Sequence, residues 1–145
     1  MKELKVAMVG LGYIGLPTAA VISSRGISVH GVDLNQSVVD TINQGKIHIV
    51  EPSLDGLVKH VVEKGLLKAS VDVEPADVYL IAVPTPFKGE YEPDLKYVES
   101  ATEMIIPNLK EGNLFIIEST SPVGTTDRMT NLIFQKRPEL KGKIY

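Results

Sequence analysis

The sequence has 145 residues, of which 43% are apolar and 23% are charged, and this length fits one globular domain. It contains no cysteine, which excludes a disulfide framework, a thiolate zinc site and a cysteine nucleophile within these residues. The net charge is −3 at pH 7 and no basic run exceeds two residues, so the charge pattern of a nucleic-acid-binding protein is missing.

Short apolar runs alternate with amphipathic helical patterns along the whole chain. In chain order, the sequence predicts a strand at residues 5–9, a helix at 14–25, a strand at 28–32, a helix at 36–44, a helix between Ser53 and Gly65, strands at 66–70 and 78–83, a helix between Asp94 and Pro107, a strand at 114–117, a helix at 125–135 and a strand that opens at 143. Ser53 and Asp94 are the predicted N-caps. This alternation is typical of a doubly wound α/β domain, a parallel sheet with helices on both faces.

One apolar stretch, residues 6–22, follows two lysines and imitates a secretory signal sequence. Gly10, Gly12, Gly15 and Pro17 interrupt it, and it continues directly into a helical pattern. We therefore expect a buried strand, a glycine-rich turn and a packed helix here. The protein is expected to be cytoplasmic and to have no membrane partner.

A glycine-rich segment joins the first predicted strand to the first predicted helix. Gly10, Gly12 and Gly15 form the pattern Gly-x-Gly-x-x-Gly. In dinucleotide-binding domains the first glycine permits a tight turn, the second lets the backbone approach a pyrophosphate, and the third lets helix and strand pack closely. The N–H groups of Tyr13 and Ile14 would face the phosphates at the positive end of the helix. The alternative is a purely structural turn.

Asp33 follows the second predicted strand, 18 positions after Gly15, which is close to the offset of roughly 20 residues expected for a ribose-binding acid. A carboxylate here accepts hydrogen bonds from the adenosine ribose and repels a 2′-phosphate. Because no arginine directly follows Asp33, the predicted cofactor is NAD rather than NADP. Together with the glycine pattern, Asp33 predicts a Rossmann-like fold. A solvated turn carboxylate is the alternative.

The sequence Val-Pro-Thr-Pro at residues 83–86 ends the most continuous apolar run. Its two prolines fix their own φ angles and push Thr85 towards an extended conformation. The segment therefore predicts a rigid loop that aims the Thr85 hydroxyl at a ligand. The alternative is an ordinary turn at the end of a strand.

Five hydroxyl side chains lie within residues 118–126, just before the last predicted helix. Serine and threonine are favoured at helix starts, so we expect one of them to cap this helix. Capping explains one or two hydroxyls and leaves the others as candidates for the nicotinamide end of a cofactor or for a water at a reaction centre.

The three histidines, His30, His48 and His60, have no metal-ligand spacing, and no metal site is predicted.

Four segments resemble the NAD-binding domain of the UDP-glucose/GDP-mannose dehydrogenase family. They are Gly-Leu-Gly-Tyr-Ile-Gly-Leu-Pro at residues 10–17, Gly-Val-Asp at 31–33, Val-Pro-Thr-Pro at 83–86 and Ser-Thr-Ser-Pro-Val-Gly-Thr-Thr at 119–126. The resemblance spans the whole chain. Stretches at residues 41–52, 81–89, 92–94 and 97–100 narrow it to the branch of the family that acts on UDP-N-acetyl-D-mannosamine.

The resemblance implies oxidation of a UDP-sugar alcohol at C6 to a carboxylate, with two NAD molecules reduced per sugar. An aldehyde forms first, a cysteine thiol captures it, and a second hydride transfer and thioester hydrolysis follow. By position, Tyr13, Ile14, Asp33, Thr85 and Thr126 match cofactor-binding residues of the family. Thr120 matches the hydroxyl that helps to hold the catalytic water.

The family's catalytic cysteine, lysine and asparagine belong to later segments that this sequence lacks, as do the UDP-sugar domain and the dimer-forming helix. We therefore expect residues 1–145 to be the NAD-binding domain of a longer enzyme, itself a homodimer or larger. Alone, this chain would bind NAD without turnover. The alternatives are a UDP-glucose or GDP-mannose dehydrogenase, a β-hydroxyacid dehydrogenase and a stand-alone nucleotide-sensing module.

Overall fold

The structure is a computed structural model and describes residues 2–145. Its strands are β1 (Lys5–Val9), β2 (Ser28–Val32), β3 (Leu67–Ser70), β4 (Val78–Ile81), β5 (Phe87–Lys88), β6 (Glu92–Pro93) and β7 (Leu114–Ile117). Its α-helices are α1 (Gly15–Ser24), α2 (Gln36–Asn43), α3 (Leu54–Glu63), α4 (Lys96–Ile105) and α5 (Thr125–Lys136). Short 3-10 helices cover Ile106–Asn108 and Pro138–Leu140.

The five longer strands form one sheet in the order β3-β2-β1-β4-β7, and every pairing in it is parallel. At its carboxyl end, Val9 of β1 pairs with Val32 on one side and with Ile81 on the other. The chain adds β2 and β3 on one side of β1 and then crosses over to add β4 and β7 on the other. Ligands of open α/β sheets bind at such a reversal of strand order. The predicted doubly wound class is confirmed.

Two apolar cores lie on opposite faces of the sheet, because successive residues of a strand point to opposite sides. Val6 and Met8 of β1 belong to the core that α1, α2 and α3 cover. Ala7 and Val9 belong to the core that α4 and α5 cover. All four side chains are at most 4% exposed, so β1 is buried on both faces, as the central strand of a covered parallel sheet requires.

Of the two predicted N-caps, Ser53 is at the predicted position but does not bond its helix, and Asp94 is not the N-cap. Ser53 occupies the N-cap position of α3, but its backbone is left-handed with φ of 64°, and its side chain makes no capping hydrogen bond. N-cap residues bond their helix from extended backbone, which Ser53 does not have. Helix α4 begins at Lys96, whose N–H donates to Asp94 Oδ1 at 3.0 Å. Asp94 thus bonds the first turn from one position before the N-cap, Leu95.

Two predicted segments have different boundaries. Strand β4 ends at Ile81, although Ala82 N–H still donates to Val9 O at 2.8 Å. Residues 89–91 are the tip of an antiparallel hairpin formed by β5 and β6. Residues 143–145 are not a regular strand. Even so, Tyr145 N–H donates to Asn113 O at 2.9 Å and Tyr145 O accepts from Phe115 N–H at 2.7 Å.

Candidate cofactor-binding site

Two glycines of the glycine-rich loop have no room for a side chain. A Cβ at Gly10, where φ is +98°, would lie 2.4 Å from Ala82 O. A Cβ at Gly15 would lie 1.8 Å from Gly10 O. A Cβ at Gly12 would meet no atom within 4 Å. Gly10 and Gly15 are therefore required by packing, whereas the space in front of Gly12 is open to a ligand.

The start of helix α1 presents free backbone donors to this open space. Gly12, Tyr13 and Ile14 donate no N–H hydrogen bond to a backbone carbonyl within residues 2–145, as is usual for the first turn of a helix. The first turn of α1 carries no acidic side chain. Tyr13 and Ile14 are 62% and 58% exposed, although one is aromatic and the other aliphatic. The combination of free N–H groups and the positive helix end suits an anion such as a pyrophosphate.

The carboxylate of Asp33 connects the end of β2 to the glycine-rich loop. Its Oδ2 accepts from Leu11 N–H at 3.2 Å, and its Oδ1 accepts from Asn35 N–H at 3.0 Å. Asn35 then caps α2 by accepting Ser37 N–H. A carboxylate has about four acceptor sites, so Asp33 retains capacity for two ligand hydroxyls. The backbone bonds fix the orientation in which it can accept them.

A cavity of about 260 Å³ opens between the carboxyl ends of the strands and helix α4. Its wall comes from the ends of β1, β2 and β4 and from α4. The lining residues are Val9, Gly10, Val32, Asp33, Leu34, Val83, Pro84, Tyr97, Ser100, Ala101 and Met104. Most of these side chains are apolar and Asp33 carries the one charge, which suits a flat, largely apolar ring joined to a hydroxylated sugar.

Hydrogen bonds join the loop after β4 to the loop after β7. Thr85 Oγ1 donates to Thr120 O at 2.6 Å. Ser119 Oγ accepts from Val83 N–H at 2.9 Å and donates to Val83 O at 2.8 Å. The sequence predicted that the Thr85 hydroxyl points at a ligand, whereas its proton is used between the two loops. Thr85 and Thr120 lie together, outside the cavity that contains Asp33.

The hydroxyl cluster does not cap helix α5, so that prediction was wrong. The N-cap is Gly124, in left-handed backbone with φ of 89°. Thr125 Oγ1 donates to Pro122 O at 2.8 Å, and Ser121 Oγ donates to Ser119 O at 2.9 Å. These bonds shape the turn before the helix. Thr120 and Thr126 are exposed, and their hydroxyls have no protein partner within residues 2–145, so both are free to bind a ligand or water.

Glu118 links the end of β7 to helix α1, a connection that sequence reasoning did not find. Its Oε1 accepts from Thr18 Oγ1 at 2.7 Å. Its Oε2 is buried and has no hydrogen-bond partner among residues 2–145. The two residues are 100 positions apart. No sequence periodicity relates Thr18 to Glu118, and Glu118 adjoins a segment rich in serine and threonine. The bond between them was therefore not predictable from the sequence.

His48 also reaches the glycine-rich loop, and sequence reasoning missed this contact as well. Its Nε2 lies 2.6 Å from Leu11 O, 37 positions away. His30 bonds Ser70 and Asp72 at the β2–β3 edge instead.

Across residues 2–145, no group of three or more His, Cys, Asp or Glu side chains could hold a metal ion. No helix in this part of the chain has the length and apolar character needed to cross a membrane.

A parallel sheet, a glycine-rich turn that leads into α1, and an acid at the end of β2 together define a dinucleotide-binding domain. A comparison with protein families matches residues 4–145 to the NAD binding domain of the UDP-glucose/GDP-mannose dehydrogenase family. The chain therefore belongs to this family, and its cofactor is NAD. The predicted resemblance is confirmed.

Similar proteins carry related names. The chain is 58% identical over 140 residues to UDP-N-acetyl-D-mannosamine dehydrogenase of Escherichia coli (strain K12), covering 97% of this chain and 33% of the relative. It is 56% identical over 135 residues to NDP-N-acetyl-D-galactosaminuronic acid dehydrogenase of Ralstonia nicotianae, covering 93% of this chain and 32% of the relative. This chain thus spans about a third of the length of these relatives.

A solved structure of a related protein has a similar fold. The native structure of the UDP-N-acetyl-mannosamine dehydrogenase Cap5O from Staphylococcus aureus superimposes with a TM-score of 0.88 at 40% identity. The alignment covers 92% of this chain and 33% of that chain.

The residues present fit NAD on structural grounds. A Cβ at Gly12 would project into open space, and this space adjoins free N–H groups. The apolar cavity is beside Asp33, which can accept ribose hydroxyls. The carboxylate would also repel the 2′-phosphate of NADP, in agreement with the family's cofactor.

Proposed function

We propose that this chain holds NAD for an enzyme that oxidises the C6 alcohol of a UDP-N-acetylhexosamine, UDP-N-acetyl-D-mannosamine in the first instance, to the uronic acid. The proposal rests on three features that lie together at one end of the sheet. They are the open space at Gly12, the free N–H groups at the start of α1 and the Asp33 carboxylate. The names of the similar proteins support the choice of sugar class.

In this proposal the adenine occupies the cavity between β2 and α4, and Asp33 accepts the hydroxyls of its ribose. The pyrophosphate lies over Gly10, Gly12 and Gly15 and accepts from the N–H groups of Tyr13 and Ile14. Backbone donors at a helix start serve this purpose well, because they are fixed before the anion arrives. Asp33 is fixed in the same way by its bond to Leu11 N–H.

The nicotinamide end is proposed to lie between the loops after β4 and β7. Thr85 holds the two loops together and its oxygen can still accept a bond. The free hydroxyl of Thr126 would contact the cofactor at the start of α5. Thr120, also free, would position the water that completes the oxidation. NAD, when bound, supplies the hydride acceptor for both oxidation steps.

The overall reaction requires more than this chain. One sugar alcohol, two NAD⁺ and one water give one carboxylate, two NADH and three protons. The thiol that would capture the intermediate aldehyde is absent, because the sequence has no cysteine. We propose that this nucleophile and the UDP-sugar site belong to a longer, cytoplasmic enzyme that is a homodimer or larger. On its own, the chain would bind NAD without turnover.

Calorimetry with NAD and NADP tests the proposal on the chain itself. The wild type is expected to bind NAD at millimolar concentration or below and to bind NADP more weakly. Asp33→Ser removes the ribose acceptor and the charge, so it should weaken NAD binding and narrow the NAD/NADP affinity ratio. Glu3→Gln, at an exposed glutamate before β1 and therefore at the opposite end of the sheet from Asp33, is the charge-matched control. No binding of NAD by the wild type, or an unchanged ratio in Asp33→Ser, would contradict the proposal.

A further inference from the structure

Leu11 is held from three directions, and one of the contacts is to the carbonyl of the peptide group that joins it to Gly12. Leu11 N–H donates to Asp33 Oδ2 at 3.2 Å. The Leu11 side chain is fully buried, and it fills the space where Gly31 lacks a side chain, with its terminal carbons 2.9 Å from an ideal Cβ there. Leu11 O lies 2.6 Å from His48 Nε2. Leu11 is therefore the fixed point of the glycine-rich loop.

The bond between His48 and Leu11 has only one possible direction. A carbonyl oxygen accepts and cannot donate, so Nε2 of His48 carries the proton and donates it to Leu11 O. Both the neutral ring protonated at Nε2 and the charged ring can make this bond. The contact therefore does not depend on whether His48 is charged.

The geometry of the peptide carries this constraint to Gly12. In a trans peptide the C=O of one residue and the N–H of the next lie in one plane and point in opposite directions. When His48 holds Leu11 O on one side, Gly12 N–H must point to the other. That N–H donates to no backbone carbonyl within residues 2–145, and the space at Gly12 is open.

We propose that His48 is a positioning residue for the cofactor pyrophosphate. By holding Leu11 O, His48 turns the Gly12 N–H towards the pyrophosphate. The inference rests on the proposed location of NAD over the glycine-rich loop. His48 lies on the segment between α2 and α3, which the neighbouring Ile49, 7% exposed, anchors in the core. The residue is exposed, and its bond to Leu11 O is the one side-chain hydrogen bond that it makes within residues 2–145.

The test compares ligands with and without phosphates. His48→Leu keeps a side chain of similar bulk and removes the donor, whereas His48→Gln keeps an N–H donor at a similar reach. Binding of NAD, ADP and adenosine is measured for the wild type and both variants by titration followed with ¹H–¹⁵N NMR. Since His48 is an exposed residue and Ile49 anchors its segment, both variants are expected to fold, which thermal unfolding verifies.

The expected result separates the pyrophosphate from the rest of the cofactor. His48→Leu should weaken NAD and ADP about five-fold, the equivalent of one ordinary hydrogen bond, and leave adenosine unchanged. His48→Gln should restore most of that loss. Equal ADP affinity in the wild type and His48→Leu would overturn this inference alone. A parallel loss for adenosine would also overturn it, because that result indicates a general structural role. A wild type that binds neither NAD nor ADP would overturn the proposed function as well.

Discussion

Thr85 Oγ1 donates to the backbone oxygen of Thr120 at 2.6 Å and thereby ties the loop after β4 to the loop after β7. Ser119 adds a second tie through both backbone groups of Val83. Because β4 and β7 are neighbouring strands, these bonds set the separation of the loops at the edge where the nicotinamide is proposed to lie. The hydroxyl thus contributes to the site by fixing the backbone of both loops.

Replacement of Thr85 tests this role. Thr85→Val has the same shape without the hydroxyl, so it should weaken NAD binding by about five-fold, the value of one hydrogen bond of about 1 kcal/mol. Thr85→Ser keeps the donor and should bind NAD as the wild type does. Calorimetry with NAD provides the affinities. If Thr85→Val and Thr85→Ser bind NAD equally, the tie is irrelevant to the cofactor.

The same added methyl group should have different effects at two glycines of the loop, lowering stability at Gly15 and NAD affinity at Gly12. In Gly15→Ala the new Cβ would lie 1.8 Å from Gly10 O, so we expect a loss of about 3 kcal/mol or more in the free energy of unfolding. In Gly12→Ala the methyl group meets no protein atom, so stability should stay within about 1 kcal/mol of the wild type. NAD binding by Gly12→Ala should nevertheless weaken about ten-fold or more.

Urea unfolding and calorimetry on the same preparations separate these two effects. A Gly15→Ala variant as stable as the wild type would show that the close approach of loop and helix can relax. A stable Gly12→Ala variant with unchanged NAD affinity would remove the pyrophosphate from this position.

Asp77 should make stability depend on acid pH. Its carboxylate accepts from Lys2 Nζ at 2.7 Å and from Lys5 N–H at 3.0 Å, and these two bonds lower the pKa of Asp77 below its usual value. A lowered pKa in the folded state stabilises the protein above the unfolded pKa of about 3.9. That contribution is lost as the pH falls through the lower folded pKa.

Asp77→Asn removes this contribution. It should reduce the free energy of unfolding by about 1 kcal/mol at pH 7, and the difference from the wild type should shrink below about pH 4. Urea titrations between about pH 2 and 7 measure both, with Asp72→Asn as the control at an exposed aspartate. A difference that stays constant over this range would show that the charge of Asp77 contributes nothing.

The strands were predictable because apolar runs bounded by turn residues determine where a covered parallel sheet can form. Residues 5–9, 28–32 and 114–117 match β1, β2 and β7 at both ends. Gly10, Gly12 and Gly15 were also predictable as a group, since their spacing reflects a local backbone geometry. The packing requirement at Gly10 depends on Ala82, far along the chain, and only the structure reveals it.

The remaining features depend on contacts that sequence distance conceals. His48 and Glu118 bond to Leu11 and Thr18 across 37 and 100 positions. The capping bond expected from Ser53 is absent for a different reason. Serine is a suitable N-cap residue, but the left-handed backbone at Ser53 does not let its side chain bond the helix. Residue type predicts what a side chain can bond, whereas backbone direction decides what it does bond.

The contact between Gly10 and Ala82 has a consequence for the order of folding. Residues 5–33 contain the whole glycine pattern and Asp33, yet the backbone that packs against Gly10 is that of Ala82, directly after β4. Closing a crossover of this length is a slow, entropically unfavourable step. Cofactor affinity should therefore emerge only with the complete sheet, and bound cofactor should in turn stabilise the domain by mass action against global unfolding.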